Sequence, residues 1–303
     1  MSELTLAQII IRRKKKERLI ELFLFLCAAS SVFVTLAIVS ILLVESIPFF
    51  QEVSIKQFLF DTEWTPLFDN PRYGIWPLLG GTFMTSIIAI SLALPSGIII
   101  AGLLSEYLPH RLKEILKPCL ELLAAVPTVV YGYFALLFVT PFLQKIFPSL
   151  SGFNVLSAGL VMGIMIIPYI SSLSEDALRA VPVHLKEASI ALGATKFQTF
   201  LFVMIPSAFS GIISAVILGI SRALGETMVV AIAAGMQPNL SLNPMEPMAT
   251  ITAYIVQVSL GDVPHGSIGY KTIYVAGLSL FCLTLTFNLI GIFLRKRFQE
   301  LEK

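Results

Sequence analysis

Runs of about twenty apolar residues recur along this chain and constrain its fold more than any other feature. A helix needs roughly 20 mostly apolar residues to cross the hydrocarbon core of a bilayer. Only 13% of the 303 residues are charged, against roughly 25% in a soluble domain. We therefore predict an all-α membrane bundle of about six transmembrane helices, with these spans: Leu19–Val44, Leu78–Leu103, Leu120–Leu143, Leu156–Ser174, Ser207–Gly235 and Thr272–Leu294.

The distribution of basic residues orients these spans. The fifth run carries Arg222 and Glu226 near its middle, where a charge costs about 2.5–3.5 kcal/mol on insertion scales. Without that run, however, the basic N-terminus and the basic C-terminal tail would lie on opposite sides. With six spans, sixteen of the 21 Lys and Arg residues lie on one side and four on the other. Basic residues concentrate in cytoplasmic loops, so both termini are predicted to be cytoplasmic.

The domain organisation follows from the same pattern. Residues 1–18 are predicted to form a basic cytoplasmic N-terminus. The apolar run after them exceeds the roughly 7–15 residues of a signal-peptide core, so we expect an uncleaved first span. No internal repeat or soluble domain is visible, and residues 19–303 are predicted to form one transmembrane domain.

The composition argues against several chemical functions. The three cysteines lie far apart, the three histidines are scattered, and no GxxxxGK[ST] phosphate-binding loop occurs. We therefore expect no catalytic residue, no metal and no cofactor, and any use of ATP would require a partner. A membrane-embedded enzyme would need several convergent catalytic groups at membrane depth. An ion-coupled transporter or a channel that works without an ATPase remains an alternative.

The loop at residues 175–206 shows the pattern of a helix–turn–helix on the cytoplasmic face. Val183–Leu192 suits a short amphipathic helix, and Gly193 can end it with a positive φ. Thr195 can cap a second helix, Lys196–Val203. Pro206 is expected to break the chain before the next span. The small and apolar residues expected to be exposed for a partner's groove are Leu185, Ala188, Ala191 and Leu192.

The same loop resembles the EAA loop of bacterial ABC importer permeases. The residues that carry the resemblance are Glu187, Ala188, Ser189, Gly193 and Pro206, in the spacing of that motif. The resemblance implies the type I importer permease fold, which is also called MetI-like. It also implies that this segment carries a coupling helix, which seats in an ATP-binding subunit.

The charges of the fifth span are the main candidates for a transport site. Arg222 and Glu226 are four residues apart, so on a continuous helix they would share one face and could pair. They either form a buried ion pair that fixes helix packing, or Arg222 meets an anion in a translocation pathway. Arginine suits an oxyanion because its planar fork can donate two parallel hydrogen bonds. The candidate pathway residues are Ser221, Arg222, Glu226 and Thr227.

Five further polar residues can line a path or simply bridge helices, and we weigh them only as a group. They are Thr82, Thr85, Ser86, Thr128 and Tyr131.

The segment Arg222–Thr227 also resembles a motif of the PstC-type permeases of bacterial phosphate importers, a branch of the binding-protein-dependent transport system inner membrane components. Further support comes from three stretches, at residues 64–82, 125–132 and 277–288, so the resemblance covers most of the chain from about residue 60. It implies phosphate transport past Arg222 and Glu226, in a multi-pass protein of the bacterial plasma membrane. The implied partners are a second permease, two ATP-binding subunits and an extracytoplasmic phosphate-binding protein. Sulfate and molybdate permeases have a similar arginine-containing stretch and remain alternatives.

Overall fold

The computed structural model describes the backbone of residues 3–301 and the side chains of residues 17–297. Most side chains of the predicted basic N-terminal segment 1–18 therefore lie outside the described residues. In chain order the described α-helices are α1 (Glu3–Glu52), α2 (Ile55–Phe60), α3 (Trp76–Gly102), α4 (His110–Ala125), α5 (Thr128–Phe134), α6 (Thr140–Ile146), α7 (Val155–Arg179), α8 (Val183–Ala191), α9 (Lys196–Thr199), α10 (Ile205–Ser207), α11 (Phe209–Leu224), α12 (Met228–Ala233), α13 (Ile251–Leu260) and α14 (Ile268–Leu301).

Three π-helical turns interrupt this order. Leu103–Tyr107 continues α3, Ala135–Val139 joins α5 to α6, and Phe200–Met204 joins α9 to α10. Within the described residues, five helical stretches are long and apolar enough to span a membrane, and one bent pair of helices supplies a sixth. The prediction of about six spans in an all-α bundle is confirmed.

The third span begins later than the sequence suggested. The predicted span Leu120–Leu143 was wrong at its start, because α4 ends at Ala125 and the apolar stretch is Thr128–Ile146. Val126 is extended, with ψ 130°, since the ring of Pro127 disfavours helical backbone in the residue before it. The residues 110–125 instead form a separate helix that precedes the span.

The fifth span is bent and broken, whereas the sequence predicted one span over Ser207–Gly235. The stretch α9–α10 meets α11 at an angle of 73°. The bend lies at Ala208, two residues after the predicted break at Pro206. The π-helical turn just before Pro206 lets the chain absorb the missing N–H of the proline. Leu224 ends α11, and α12 begins only at Met228.

Packing of α3 along α7 forms the centre of the bundle. Gly163 of α7 permits the close approach, because a Cβ there would lie 2.8 Å from the carbonyl oxygen of Ala89 on α3. Small residues let membrane helices approach in this way. Met162 and Ile166 fill the core beside them and are fully buried. The fixed pair α3–α7 is the support on which the broken fifth span rests.

The outer segment between α1 and α3 folds into a packed layer. Trp64 is only 1% exposed, and its ring lies 5.2 Å from that of Tyr254 on α13. A β-bridge between Trp64 and Tyr73 turns the segment back over α13. Trp76, in contrast, is 46% exposed, and its Nε1 donates to the carbonyl of Leu59 at 2.6 Å.

A second outer loop, residues 236–250, holds the start of α7. The backbone N–H of Val155 donates to the carbonyl of Glu246 at 3.3 Å. Side-chain hydrogen bonds from Ser241 and Asn243 lower the pKa of the Glu246 carboxyl. The loop thereby fixes the outer end of the central helix.

The first span contributes little to the core. None of the most apolar 18-residue window of α1 is buried, and the helix packs mainly on α14. Its large exposed apolar side chains include Phe23, Phe25 and Phe33. Such a surface is suited to lipid or to another membrane subunit rather than to water.

Candidate transport site and coupling loop

Arg222 lies in the last turn of α11, beside the break in the fifth span. Its guanidinium carbon is 4.5 Å from the centre of the Tyr169 ring on α7, a cation–π distance. Its Nε is buried and has no hydrogen-bond partner among the described residues. No carboxylate in the described part of the chain lies within ion-pair distance of Arg222. The arginine is therefore oriented by an aromatic ring and retains donor capacity.

Glu226 does not pair with Arg222, in contrast to the expectation from a continuous helix. It lies in the break, is 8% exposed, and its Oε1 accepts from the backbone N–H groups of Met228 at 3.1 Å and Val229 at 3.4 Å. A carboxylate in this position caps the first turn of α12. The two charges have separate partners because the helix that would align them ends at Leu224.

Threonine side chains hold the break in place from the neighbouring elements. Thr252 of α13 donates its hydroxyl to the carbonyl of Glu226 at 2.7 Å and contacts the hydroxyl of Thr250 at 3.1 Å. Thr82 of α3 accepts from the backbone N–H of Ile251 at 3.1 Å. Sequence reasoning missed Thr250 and Thr252, since their approach depends on the fold of the outer loop.

The sequence also offered Thr85, Ser86, Thr128 and Tyr131 as polar residues that can line a path. No contact in the described part of the chain brings these four together around Arg222. Thr85 and Ser86 donate to carbonyls of their own helix, and Tyr131 donates to the carbonyl of Leu123 at 2.7 Å. Thr128 begins α5. They fit helix packing and helix bridging better than a shared polar path.

Ser221 and Thr227 flank the two charges and have different surroundings. Ser221 donates its hydroxyl to Oδ1 of Asn288 at 2.8 Å, which ties α11 to α14. Thr227 donates locally to the carbonyl of Gly225 at 3.2 Å. Sequence reasoning missed Tyr169 and Asn288 as contacts of the candidate site, because each lies on a different helix from the residue that it contacts.

The loop at residues 175–206 contains the predicted helix–turn–helix. Gly193 follows α8 with φ +88°, the left-handed conformation that favours glycine. Thr195 and Gln198 form a reciprocal capping box at the start of α9. The hydroxyls of Ser189 and Thr199 lie 3.0 Å apart and join the two helices.

The surface of this loop is open to a partner. Glu187, Ala188 and Pro206 are exposed, and Leu192 is 90% exposed. Three further large apolar side chains of the loop lie beside them on the surface: Val183, Ile190 and Phe197. Apolar side chains concentrated on one short helix and its turn form a knob that can enter a groove.

An ion pair fixes the loop to the end of the second span. Nζ of Lys186 on α8 lies 2.5 Å from Oε1 of Glu106 in the π-helical turn that continues α3. The pair joins α8 to the end of α3. Among the residues whose side chains are described, no cluster of three His, Cys, Asp or Glu residues that could hold a metal occurs.

Comparisons with known proteins identify the family of this chain. Residues 93–300 match the family model of the binding-protein-dependent transport system inner membrane component. A probable ABC transporter permease, YqgH of Bacillus subtilis, is 36% identical over 245 residues, covering 81% of this chain and 79% of that protein. The phosphate transport system permease protein PstC of Xylella fastidiosa (strain 9a5c) is 33% identical over 291 residues, covering 89% and 88%.

Solved structures place the fold in the same group. A bacterial alginate ABC transporter, in complex with an alginate-bound periplasmic protein, matches with a TM-score of 0.60 at 15% identity, over 84% of this chain and 86% of that one. The MetNI methionine ABC transporter in an inward-facing conformation matches with a TM-score of 0.54 at 19% identity, over 74% and 94%. The fold is therefore that of the MetI-type ABC importer permeases. This multi-pass inner membrane protein belongs to the family of binding-protein-dependent transport system inner membrane components.

Proposed function

We propose that this chain is the permease subunit of an ATP-driven phosphate importer and forms half of its translocation pore. The observation that carries the proposal is Arg222, a cation in the broken fifth span that lies over the ring of Tyr169 and has no described carboxylate partner. The relatives named as phosphate permeases support phosphate as the substrate. The substrate would pass beside Ser221, Arg222, Glu226 and Thr227.

The chemistry of Arg222 suits transient contact with phosphate. Its planar fork can donate two parallel hydrogen bonds to an oxyanion. A cation–π contact orients the guanidinium and, at about 0.5–2 kcal/mol, does not neutralise it as a carboxylate would. Glu226 caps α12 instead of pairing with Arg222, so a carboxyl group close to the route limits how tightly the anion is held. Arg222 can therefore bind phosphate transiently and release it.

The proposed assembly places both termini in the cytoplasm of the cell. A second permease subunit would complete the pore as a heterodimer, and two ATP-binding subunits would dock on the cytoplasmic side. An extracytoplasmic phosphate-binding protein would deliver the substrate to the outer layer. The excess of Lys and Arg on one side supports this orientation.

Coupling to ATP would begin at α8. Glu187, Ala188, Ser189, Gly193 and Pro206 would form the segment that enters a groove of the ATP-binding subunit. Movement of that subunit would move α8, and the pair Lys186–Glu106 would pass the movement to α3. The pore would thus alternate between outward and inward access.

Two other functions make different demands on the chain. A sulfate or molybdate permease would use the same guanidinium fork. Only a measurement of transport distinguishes these substrates from phosphate. An ion-coupled transporter or a channel would not need an ATPase and would leave the exposed apolar surface of α8 without a role. Co-purification of a nucleotide-binding subunit in mild detergent separates these cases.

The test is uptake of phosphate by the full complex in proteoliposomes, with sulfate and molybdate as parallel substrates. We expect Arg222→Gln to lower phosphate uptake at least tenfold while the complex stays assembled. Arg72→Gln is the matched control, because Arg72 pairs with Asp61 and Glu63 on the outer surface. Normal phosphate uptake by an assembled Arg222→Gln complex would reject the role of Arg222. Preference for sulfate or molybdate would reject phosphate alone.

A further inference from the structure

Helices α11 and α14 lie directly against each other at Gly291. A Cβ at this position would lie 2.5 Å from the side chain of Ile217 on α11. The contact separates two cavities, and both are lined in part by Gly291 and Ile217. The helix crossing therefore has two sides whose chemistry can be compared.

One side of the crossing is apolar and the other is polar. The first cavity, of about 470 Å³, is lined by apolar residues and one glycine only, with Ile290 among them. The second cavity, of about 430 Å³, is lined in part by Ser214, Asn288 and Arg295, and none of its described lining residues is acidic. Lipid suits the first side. Polar and charged side chains of a membrane span face protein or a water-filled space instead, so the second side is suited to a polar route.

The polar side chains of α14 lie on one face of the helix. Asn288 and Arg295 are seven residues apart, which places them two turns apart and roughly 10 Å along the axis. Both are exposed in this chain. The apolar stretch of the helix is Ile268–Arg297, so Asn288 lies inside the span and Arg295 lies close to its end.

The contact with Ser221 leaves the amide of Asn288 free to donate. Ser221 donates its hydroxyl to Oδ1 of Asn288 at 2.8 Å, so the amide oxygen is occupied and the two N–H groups of Nδ2 remain. Within the part of the chain whose side chains are described, Nδ2 has no acceptor and Arg295 has no carboxylate partner. N–H donors beside an unpaired guanidinium, without an acidic residue, fit an oxyanion.

This polar cavity adjoins the surroundings of Arg222. Leu218, one turn before Arg222, lines both this cavity and a cavity of about 310 Å³ that includes Tyr169. The ring of Tyr169 lies under the Arg222 guanidinium. An anion that leaves Arg222 along α14 therefore comes first to Asn288 and then, roughly 10 Å further, to Arg295.

We propose that Asn288 and Arg295 form a second oxyanion site, which phosphate contacts after Arg222 on its way toward the end of α14. The proposal rests on the transport route proposed above, in which this end is cytoplasmic. The amide of Asn288 donates its N–H groups, and the guanidinium of Arg295 supplies charge and a planar pair of donors. Several sites of moderate strength let an ion move on, whereas a single strong site would retain it. The phosphate group of a lipid headgroup has the same chemistry, and the experiment distinguishes the two sources.

The experiment compares two cysteines on opposite sides of the helix crossing. Ile292 lines the polar cavity and is 51% exposed, whereas Ile290 lines the apolar cavity and is 50% exposed. Ile292→Cys and Ile290→Cys are introduced separately into the full complex, after replacement of the native Cys27, Cys119 and Cys282 by serine. Proteoliposomes of zwitterionic lipid are treated on both sides with membrane-impermeant methanethiosulfonates, one negatively and one positively charged.

We expect Ile292→Cys to react at least fivefold faster with the negatively charged reagent, and Arg295→Gln to reduce this preference below twofold. Inorganic phosphate should slow that reaction at least threefold relative to chloride at equal ionic strength. The added change Asn288→Asp should abolish the slowing, because it keeps an oxygen for Ser221 but replaces the N–H donors. Ile290→Cys should react at least tenfold more slowly with both reagents.

Three results would overturn the second site. They are equal reaction at the two cysteines, no reaction of Ile292→Cys in assembled complexes, which would mean that lipid or another subunit covers this face, and no effect of inorganic phosphate. A slowing by anionic phospholipid in the vesicles, without one by free phosphate, would assign Arg295 to a lipid headgroup instead.

Phosphate uptake separates failure of this site from failure of the proposed function. Arg295→Gln should lower uptake by the assembled complex at least fivefold. Lys296→Gln is the matched control and should lower it less than twofold, because the adjacent Lys296 does not line the cavity. Normal uptake by Arg295→Gln, with loss of uptake in Arg222→Gln, would reject the second site alone. Absence of phosphate uptake by the wild-type complex would reject the proposed function, whatever the charge preference at Ile292→Cys.

Discussion

On the outer side of the bundle, residues 53–78 and α13 form an aromatic layer in which Trp64 is 1% exposed. At the opposite end, α4 and α8 contain no buried residue, and ion pairs link them to α7 and to the end of α3. Apolar packing resists displacement in all directions, whereas an ion pair can exchange one partner for another. The contrast indicates a rigid end at the aromatic layer and a more easily displaced end at α4 and α8.

The largest effect on stability is expected from the outer layer. Trp64→Ala should lower the free energy of unfolding by about 3–5 kcal/mol, because it empties a closed aromatic cluster. Trp76→Ala is the matched control, since Trp76 is 46% exposed. The substitution removes one hydrogen bond, which contributes about 1 kcal/mol. Thermal aggregation of the purified protein measures both. Equal losses for the two variants would mean that the outer layer is not a rigid core.

A smaller effect is expected in the coupling loop, where backbone conformation matters more than packing. Gly193→Ala should lower the free energy of unfolding by about 1–2 kcal/mol, because the residue has φ +88°, where a side chain is unfavourable. Gly152→Ala is the control, because a Cβ at either position meets no atom within 4 Å and Gly152 lies outside the left-handed region. Hydrogen exchange of α8 and α9 should be faster only in Gly193→Ala. Similar exchange in both variants would contradict a strained turn.

In the break of the fifth span, loss of the Glu226 cap is expected to lower the free energy of unfolding by about 1 kcal/mol. Glu226→Ala removes the acceptor for the N–H groups of Met228 and Val229, whereas Glu226→Gln keeps an oxygen acceptor. Hydrogen exchange of α12 should therefore rise in Glu226→Ala and change little in Glu226→Gln. An equal rise in both would show that the charge, rather than the cap, orders this helix.

The smallest effect on stability is expected at the exposed surface of α8 and its turn, where Leu192→Ala should lower the free energy of unfolding by less than about 0.5 kcal/mol. The same change should weaken association with the ATP-binding subunit by roughly tenfold or more, as is typical of central interface residues. Leu242→Ala is the matched control, because both leucines are 90% exposed and Leu242 lies in the outer loop. Co-purification at graded concentrations measures the difference. Unchanged association would place the coupling surface elsewhere.

Local signals in the sequence predicted much of the fold. The lengths of the apolar runs predicted the number of spans, and Gly193 and Thr195 predicted how the coupling loop turns. These features depend on neighbours within a few residues. The prediction of the third span began too early, because hydropathy counts Leu120–Ala125 as apolar without registering the extended joint before Pro127.

The candidate site was less predictable, because its contacts join distant parts of the chain. The sequence predicted Arg222 and Glu226 as a pair, since spacing describes only a continuous helix. The contact of Arg222 with Tyr169 spans two helices, and the support from Thr252 depends on the outer loop. The buried state of Trp64 has the same origin, since residues 64 and 254 meet only after folding.

The three π-helical turns have a consequence for how this chain tolerates changes in length. Each closes its hydrogen bonds over one residue more than an α-helical turn does. Deletion of one residue within Ala135–Val139 would let α5 and α6 join as a continuous α-helix, without altering the register of either end. The same deletion inside α7 would rotate half of its buried face by about 100°, the angle per residue of an α-helix. Single-residue deletion scanning, scored by the amount of assembled complex, should therefore reveal tolerance at the π-helical turns and none in the middle of α7.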